Sequence, residues 1–239
     1  MTAERRILQF GTNSIPYSLT YSARRHLRIT VFPDRRVAVD APKDRSLDDV
    51  ERAVRKRSRW IARQRMRFEK YHPLPSPRRY VSGETHRYLG KQYRLRVRRG
   101  VPESVKLQGG FLWVVASDGS DTNRARRIVE SWYDEHALDI FERRLKACHD
   151  RVKHQGIPLP CVSTRKMKTR WGSCRKNGSI VLNPLLIRLP IPCIDYLILH
   201  ELCHLRVHNH GPSFYRLMDK CLPDWRERRE RLNLTAVQS

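Results

Sequence analysis

Tyr196-Leu-Ile-Leu-His200-Glu201-Leu-Cys-His204 is the stretch of this sequence that says most about its fold. It contains H-E-x-x-H, and on a helix two histidines four residues apart lie on one face, where both imidazoles can hold one cation. Neutral imidazole suits Zn²⁺, and a catalytic zinc takes three protein ligands and leaves one position open. The residues just before His200 are apolar, which predicts a buried helix whose histidines need partners. The stretch therefore predicts a zinc site; two solvated histidines beside a glutamate are the alternative.

Two neighbouring residues complete the predicted site. Glu201 directly follows the first histidine, so it can take a proton from metal-bound water without binding the metal itself. His210 precedes Gly211-Pro212, a pair typical of a helix end and a turn, and we expect it to return to the metal as the third ligand. His208 is the competing third ligand. We prefer His210 because it lies at the predicted turn, whereas His208 is still near the helix end.

The composition is that of a strongly basic protein. The 239 residues include 49 Lys and Arg against 24 Asp and Glu, a formal net charge of +25. Such an excess favours polyanionic partners, namely nucleic acid, an anionic membrane surface or an acidic protein, although a merely basic surface is the alternative. The segment Met1–Phe10 lacks the apolar core of a secretory signal, and no apolar run approaches membrane-spanning length. We therefore expect a soluble, cytoplasmic protein whose six cysteines are free thiols.

The first half of the chain has the patterns of antiparallel strands. His26–Val31 alternates apolar and polar residues, Pro33-Asp34 favours a turn, and Val37 and Val39 alternate again, which predicts a hairpin. Further strand-like segments follow, the last two joined through Gly-Gly, a strong hairpin signal. They are Tyr80–Val81, His86–Leu89, Tyr93–Val97, Val105–Leu107 and Phe111–Val115.

One basic helix interrupts this β-rich half. Ser46 or Asp48 is its expected cap, and it runs to about Phe68. Most of its faces carry positive charge, so contact with phosphate groups and a solvated basic face are equally supported. The charged residues are Arg52, Arg55, Lys56, Arg57, Arg59, Arg63, Arg65 and Arg67.

The second half begins with a long amphipathic helix, which Asp118 or Asp121 caps and which runs to about His154. Strand, turn, strand and the H-E-x-x-H helix then follow in that order. In a metal-dependent peptidase an exposed strand edge beside the zinc can hold an extended peptide by main-chain hydrogen bonds. Ile180–Asn183 is our candidate edge, with Ile180 and Asn183 as substrate contacts. Arg170 is a further candidate, for a substrate carbonyl or phosphate.

Several motifs together resemble the YgjP-type zinc metallopeptidase domain, a family related to the SprT-like proteases. The resemblance covers nearly the whole chain and is most specific from Lys168 to Phe214. It implies an α+β fold with a zincin-like metallopeptidase core and an antiparallel β-rich N-terminal half. It also implies one Zn²⁺ ion held by His200, His204 and His210. The motifs are Lys168-x-Arg170-Trp171-Gly172-Ser173-Cys174, Gly178-x-Ile180-x-Leu182-Asn183, Asp195-Tyr196, His200-Glu201-Leu-x-His204, Asn209-His210 and Phe214, with Tyr21-Ser22-x-Arg24-Arg25, Trp60-Ile61, Gly83-Glu84 and Tyr88-Leu89-Gly90 in the front half.

Two regions follow from this interpretation. Residues 1–117 form a β-rich N-terminal region with one basic helix, and residues 118–239 form the zincin-like catalytic region with the H-E-x-x-H helix. One continuous domain is the alternative.

The predicted reaction is hydrolysis of peptide bonds by metal-activated water with Glu201 as general base. The substrate is then a protein or peptide, and nucleic acid or another polyanion is a possible partner of the basic surface. Two other functions stay open. One is a metal-dependent nucleoside triphosphate pyrophosphatase or phosphohydrolase using the same site, an activity also associated with the family. The other is a non-catalytic nucleic-acid-binding protein with structural zinc, which no zinc-finger or helix-turn-helix pattern supports.

Overall fold

The computed structural model describes residues 4–11, 13–32, 34–69, 78–167, 170–175 and 177–236. The chain divides into two compact units, which comprise residues 1–75 and 76–237. Each unit has its own hydrophobic core.

The first unit is a four-stranded sheet followed by two helices. The sheet order is β1-β2-β4-β3, in which the two hairpins are antiparallel and the central pair β2–β4 is parallel. The hairpin of β3 and β4 agrees with the sequence prediction, whereas the hairpin of β1 and β2 was not predicted. The elements are β1 (Glu4–Phe10), β2 (Asn13–Ser22), β3 (Arg28–Val31), β4 (Val37–Pro42), α1 (Leu47–Lys56) and α2 (Ser58–Glu69).

The predicted basic helix is two helices. Ser46 caps α1 by accepting a hydrogen bond from the Asp49 N–H at 3.2 Å, as expected of an N-cap serine. The helix then ends at Arg57, whose backbone leaves the helical region, and α2 begins at Ser58. The expectation of one continuous helix to Phe68 was therefore wrong. Val50, Val54 and Ile61 are fully buried, so both helices still cover the same sheet.

The second unit contains a further four-stranded sheet, a three-stranded sheet and four α-helices among its described residues. The four-stranded sheet has the order β5-β6-β8-β7, again with a parallel central pair, and the three-stranded sheet has the order β10-β11-β9. The elements are β5 (Thr85–Tyr88), β6 (Lys91–Arg99), β7 (Ser104–Gln108), β8 (Phe111–Ala116), α3 (Thr122–His149), β9 (Val162–Thr164), β10 (Gly172–Cys174), β11 (Ile180–Leu182), a 3₁₀ helix (Pro184–Arg188), α4 (Ile191–His204), α5 (Pro212–Cys221) and α6 (Trp225–Ala236).

The two four-stranded sheets repeat one arrangement. In each, two hairpins are joined by a parallel central pair, and a helix follows the last strand. The capping residues Ser46 and Asp121 are 75 positions apart. The same interval separates the buried residues of the last strand and the first helical turns, namely Val37, Val39, Ala41, Val50 and Val54 in the first unit and Leu112, Val114, Ala116, Ala125 and Val129 in the second.

The sheet β5-β6-β8-β7 lies in the same compact unit as the H-E-x-x-H helix, α4. α3 packs on β8 with one face and on α4 with another, and all three contribute to one hydrophobic core. The units therefore divide between residues 75 and 76, not between 117 and 118 as the sequence suggested. The α+β class and the strand-rich N-terminal half are confirmed. Within the described residues, every helix is too short or too polar to cross a bilayer.

Candidate metal centre

The centre is built on α4, one of the most apolar helices of the described chain. Pro190 precedes the helix and Pro192 lies in its first turn, where the missing N–H costs nothing. Ten of its residues are buried, which fixes the helix in the core of the second unit. Arg144 of α3 donates two hydrogen bonds to the Asp195 carboxylate, at 2.8 and 2.7 Å. This bidentate pair ties α4 to α3 at the helix's N-terminal end.

Three imidazoles converge on one point. The Nε2 atoms lie 3.2 Å apart for His200 and His204, 3.1 Å for His204 and His210, and 3.0 Å for His200 and His210. Nitrogens bound to one tetrahedral zinc are separated by about 3.3 Å, because each Zn–N distance is about 2.05 Å. The spacing therefore fits a single ion, and these histidines form a group that can hold one. His208, the competing residue, lies on the wall of the same cleft but outside the group.

The surroundings favour the neutral form of His200 and His204. Burial, reinforced by the other two histidines, lowers the pKa of His200 to about 3, and burial also lowers the pKa of His204. The His204 Nδ1 atom lies 3.0 Å from the Val207 carbonyl oxygen. A carbonyl only accepts, so Nδ1 carries the proton and Nε2 keeps its lone pair for a ligand. The ring of Phe214 on α5 is fully buried and lies within 5.0 Å, centroid to centroid, of all three imidazoles.

Glu201 lies beside the triad in a buried position. Its side chain packs on Gly172, where an added Cβ would lie only 2.7 Å from the carboxylate oxygen Oε1. Glycine is required there because any side chain would displace the carboxylate. Burial raises the pKa of Glu201 to about 7, opposed by a hydrogen bond from the Cys174 N–H and by the charge of Arg170. A carboxyl group with a pKa near neutrality is suited to accept and return a proton.

A cleft of about 650 Å³ gives access to these groups. One wall is β10, and the sheet order places β10 at the edge of the three-stranded sheet, with β11 in the middle. Trp171 and Arg175 make their main-chain hydrogen bonds to the chain around β11. Because peptide groups alternate along a strand, those of Gly172 and Cys174 face the other edge. The remaining residues at the cleft wall are Arg170, Ser173, Arg175, His200, Glu201, His204, His208 and His210.

The predicted substrate contacts fall in three different places. Arg170 is exposed on the wall of the cleft. Ile180 is fully buried in the middle strand, so its side chain faces the core, and the candidate edge moves from β11 to β10. Asn183 is 2% exposed. Its side chain caps the 3₁₀ helix and donates to the carbonyl oxygens of Met167 (2.8 Å) and Arg170 (3.3 Å). Asn183 thus holds the loop that carries Arg170.

Sequence reasoning assigned no role to two residues of the centre. Phe214 forms the apolar backing of the histidines, and Gly172 makes room for Glu201. Both residues belong to the family motifs of the sequence, which marks them as notable, but their roles depend on contacts between residues far apart in the chain. Asp195, five residues before His200 on the same helix, is engaged by Arg144.

Comparison with known proteins identifies the family of this chain. The YgjP-like, metallopeptidase domain family matches residues 25–235. Among solved structures, the metallopeptidase zymogen of Pyrococcus abyssi abylysin is similar, with 26% identity over 41% of this chain and 97% of that chain and a TM-score of 0.37. The search of curated proteins found no match. Since the family match spans most of the sequence and contains the whole candidate centre, the chain belongs to the YgjP-like metallopeptidase-domain family.

Proposed function

We propose that this protein is a zinc-dependent peptidase, with His200, His204 and His210 as ligands and Glu201 as general base. The observation that carries the proposal is the convergence of three imidazole nitrogens, 3.0 to 3.2 Å apart, beside a buried carboxyl group. A three-histidine set leaves one position of a tetrahedral zinc open, which is the arrangement of catalytic rather than structural sites.

A bound zinc would polarise the scissile carbonyl and lower the pKa of a water molecule to about 7. Glu201 is placed to take a proton from an attacking water molecule and to return it to the leaving amine. In the metal-free protein, burial raises the pKa of Glu201 to about 7, and a carboxyl group of this basicity is suited to accept a proton and return it. The Cys174 N–H holds the carboxylate in place during both transfers.

The substrate is proposed to bind in extended form along β10. The outward N–H and carbonyl groups of Gly172 and the carbonyl group of Cys174 supply donors and acceptors for pairing with a peptide main chain, and β10 borders the cleft that contains the histidines. Recognition through the main chain predicts broad sequence tolerance. Arg170 and Arg175 on the same wall favour acidic or carbonyl-rich substrate segments.

The test is metal content combined with peptide turnover. We expect about one zinc per chain and cleavage of an unfolded protein such as reduced casein. Glu201→Gln should retain the zinc and lose turnover. Glu230→Gln, an equivalent change at an exposed position on α6, should retain both. Zinc-loaded protein that cleaves no peptide in a broad library would refute the peptidase proposal.

Hydrolysis of a nucleoside triphosphate is the second candidate function. The observation that favours it is the pair Arg170 and Arg175 on the cleft wall, since guanidinium groups bind phosphate oxygens. Phosphate or pyrophosphate release from a nucleotide panel, abolished by Glu201→Gln, would select it over peptide hydrolysis. Turnover of neither class, with zinc retained, would instead select the structural-zinc alternative.

A further inference from the structure

The first unit contains a groove between the β1–β2 hairpin and α2. Its volume is about 690 Å³, and every residue that lines it belongs to this unit. We name it the arginine groove. It is lined by Phe10, Ser14, Ile15, Arg35, Arg59, Ala62, Arg63, Arg65, Met66 and Glu69.

The charge of the groove is largely uncompensated. Arg35 pairs with Glu69, whose carboxylate lies 2.7 Å away. The structure shows no ion pair within its described residues for Arg59, Arg63 or Arg65. Three guanidinium groups that share one groove repel one another unless an anion lies between them. The groove therefore favours a ligand with several negative charges.

The same groove exposes apolar surface. Met66 is 67% exposed and Phe10 is half-buried, and both lie among the arginines. The repeated arrangement shows that this exposure is specific to the first unit. The residues 75 positions after Ala62 and Met66 are Ala137 and Phe141, and both are fully buried in the core that includes α4. In the first unit, the corresponding residues Ala62 and Met66 are exposed to solvent.

A second groove on the same helices has a similar composition. It has a volume of about 460 Å³ and combines two cations, Lys56 and Arg57, with the half-buried ring of Trp60 and two aliphatic residues, Leu27 and Ile29. Each of the two grooves thus combines cationic with apolar side chains.

We propose that the arginine groove binds single-stranded nucleic acid. A single strand offers regularly spaced phosphates for the guanidinium groups and unpaired bases for the flat apolar surfaces, which is the combination that this groove presents. An acidic peptide would match the charge but would leave Phe10 and Met66 without stacking partners. A bilayer is flat and cannot enter a concave groove. The inference does not depend on the proposed peptidase activity.

The experiment measures binding of the full-length protein to fluorescein-labelled 20-nucleotide oligodeoxythymidine and oligouridine by fluorescence anisotropy, from 50 to 300 mM salt. Arg59→Ala with Arg63→Ala should weaken binding at 50 mM salt by at least about tenfold. It should also reduce the salt slope by about 1.4, because each phosphate contact to a single strand contributes about 0.7. The matched control is Arg94→Ala with Arg127→Ala, two exposed arginines of the second unit that form no ion pair within the described residues, which should change neither quantity.

A second variant separates base stacking from charge. Phe10→Ala should weaken oligodeoxythymidine binding about fivefold or more at unchanged salt slope, since stacking contributes about 1 to 3 kcal/mol per base. Heparin and vesicles of anionic lipid serve as competitors without bases. The proposal is overturned if the control variant weakens oligonucleotide binding as much as the Arg59→Ala, Arg63→Ala variant does. It is also overturned if Phe10→Ala has no effect on oligonucleotide binding, or if heparin binds more strongly than the oligonucleotide. Far-ultraviolet circular dichroism of all variants checks that they are folded.

Discussion

The two four-stranded sheets of this protein share a strand order and differ in what their following helix covers. In the first unit the helix breaks after ten residues at Arg57, and α2 leaves Ala62 and Met66 in an open groove. In the second unit α3 continues for 28 residues, and the 3₁₀ helix and α4 cover its corresponding stripe. The same arrangement thus carries arginines and exposed apolar groups in one unit and supports a metal centre in the other.

The comparison shows that the sheet and helix alone do not make the site. What distinguishes the second unit is an additional layer, α4 to α6, which adds a second buried surface to α3. The second unit also contains the buried residues His86, Arg188, Asp195 and Glu201, of which Asp195 and Glu201 lie on α4. Of the described residues of the first unit, Ser58 is the one polar residue in the buried class.

The largest expected effect is a loss of zinc binding and peptide turnover in the second unit, with no change in the first unit. His210→Ala should remove the stoichiometric zinc and lower peptide turnover by more than about a hundredfold, since even outer-shell changes cost 10- to 100-fold. Metal analysis and casein cleavage measure this, with His208→Ala as the matched control that retains zinc. Oligonucleotide binding should be unchanged by either variant. Zinc loss with His208→Ala and not with His210→Ala would assign the third ligand to residue 208.

The next effect compares equivalent positions of the two helices. Phe141→Ala should lower the free energy of unfolding of its unit by about 3 to 5 kcal/mol, because it empties a fully buried site. Met66→Ala, 75 positions earlier, should change it by less than about 0.5 kcal/mol, because that side chain is exposed. Denaturant unfolding followed by circular dichroism measures both. If the two variants lost similar amounts of unfolding free energy, Met66 would have to be buried in solution.

The third effect concerns pH and is specific to the unit with buried carboxyl groups. The pKa of Glu201 rises from 4.5 to about 7 on folding, so the folded state favours the protonated acid. The resulting stability is full below pH 4.5 and is lost as the pH rises towards 7. In metal-free protein, Glu201→Gln should therefore be more stable than the wild type at pH 8, by a difference on the order of 3 kcal/mol.

The check is urea unfolding of both metal-free proteins at pH 4 and pH 8. The two should differ less at pH 4, where Glu201 is protonated in both the folded and the unfolded state. A difference that is the same at both pH values would show that the carboxyl group is not responsible. His200, whose pKa is lowered, acts in the opposite direction on the acid side but is present in both proteins.

The smallest effect tests the repeated arrangement at its caps. Ser46→Ala and Asp121→Ala should each cost about 1 kcal/mol, because each removes an acceptor from the first helical turn. The loss at Asp121 should be somewhat larger, since its carboxylate accepts from two N–H groups. Glu142→Ala on the exposed face of α3 is the control, with a change below about 0.5 kcal/mol. Thermal unfolding checks all three.

Sequence reasoning succeeded where the information is local. The spacing of His200 and His204, the caps at Ser46 and Asp121 and the proline start of α4 each depend on a few consecutive residues. It failed where the local structure depends on contacts with distant segments of the chain. The break at Arg57 and the unpredicted β1–β2 hairpin depend on packing within the first unit, and Pro16 within β2 argues against a strand on local grounds.

The substrate edge shows the same limit. Ile180–Leu182 has the composition of a strand, and composition cannot distinguish an edge strand from a middle one. Only the order β10-β11-β9 places β11 in the interior and leaves β10 beside the cleft. Likewise, the spacing of the histidines says nothing about Gly172, whose missing side chain matters because Glu201 packs against it.

The sequence by itself determined the helical spacing of His200 and His204, the strongly basic charge and the family to which the chain belongs. These are properties of residue type and of separations within one or two helical turns. The tertiary structure alone decided where the units divide, which strand is the edge, why Glu201 has a raised pKa and which arginines share a groove. Those properties arise from burial and from contacts between residues far apart in the chain, and no local pattern encodes them.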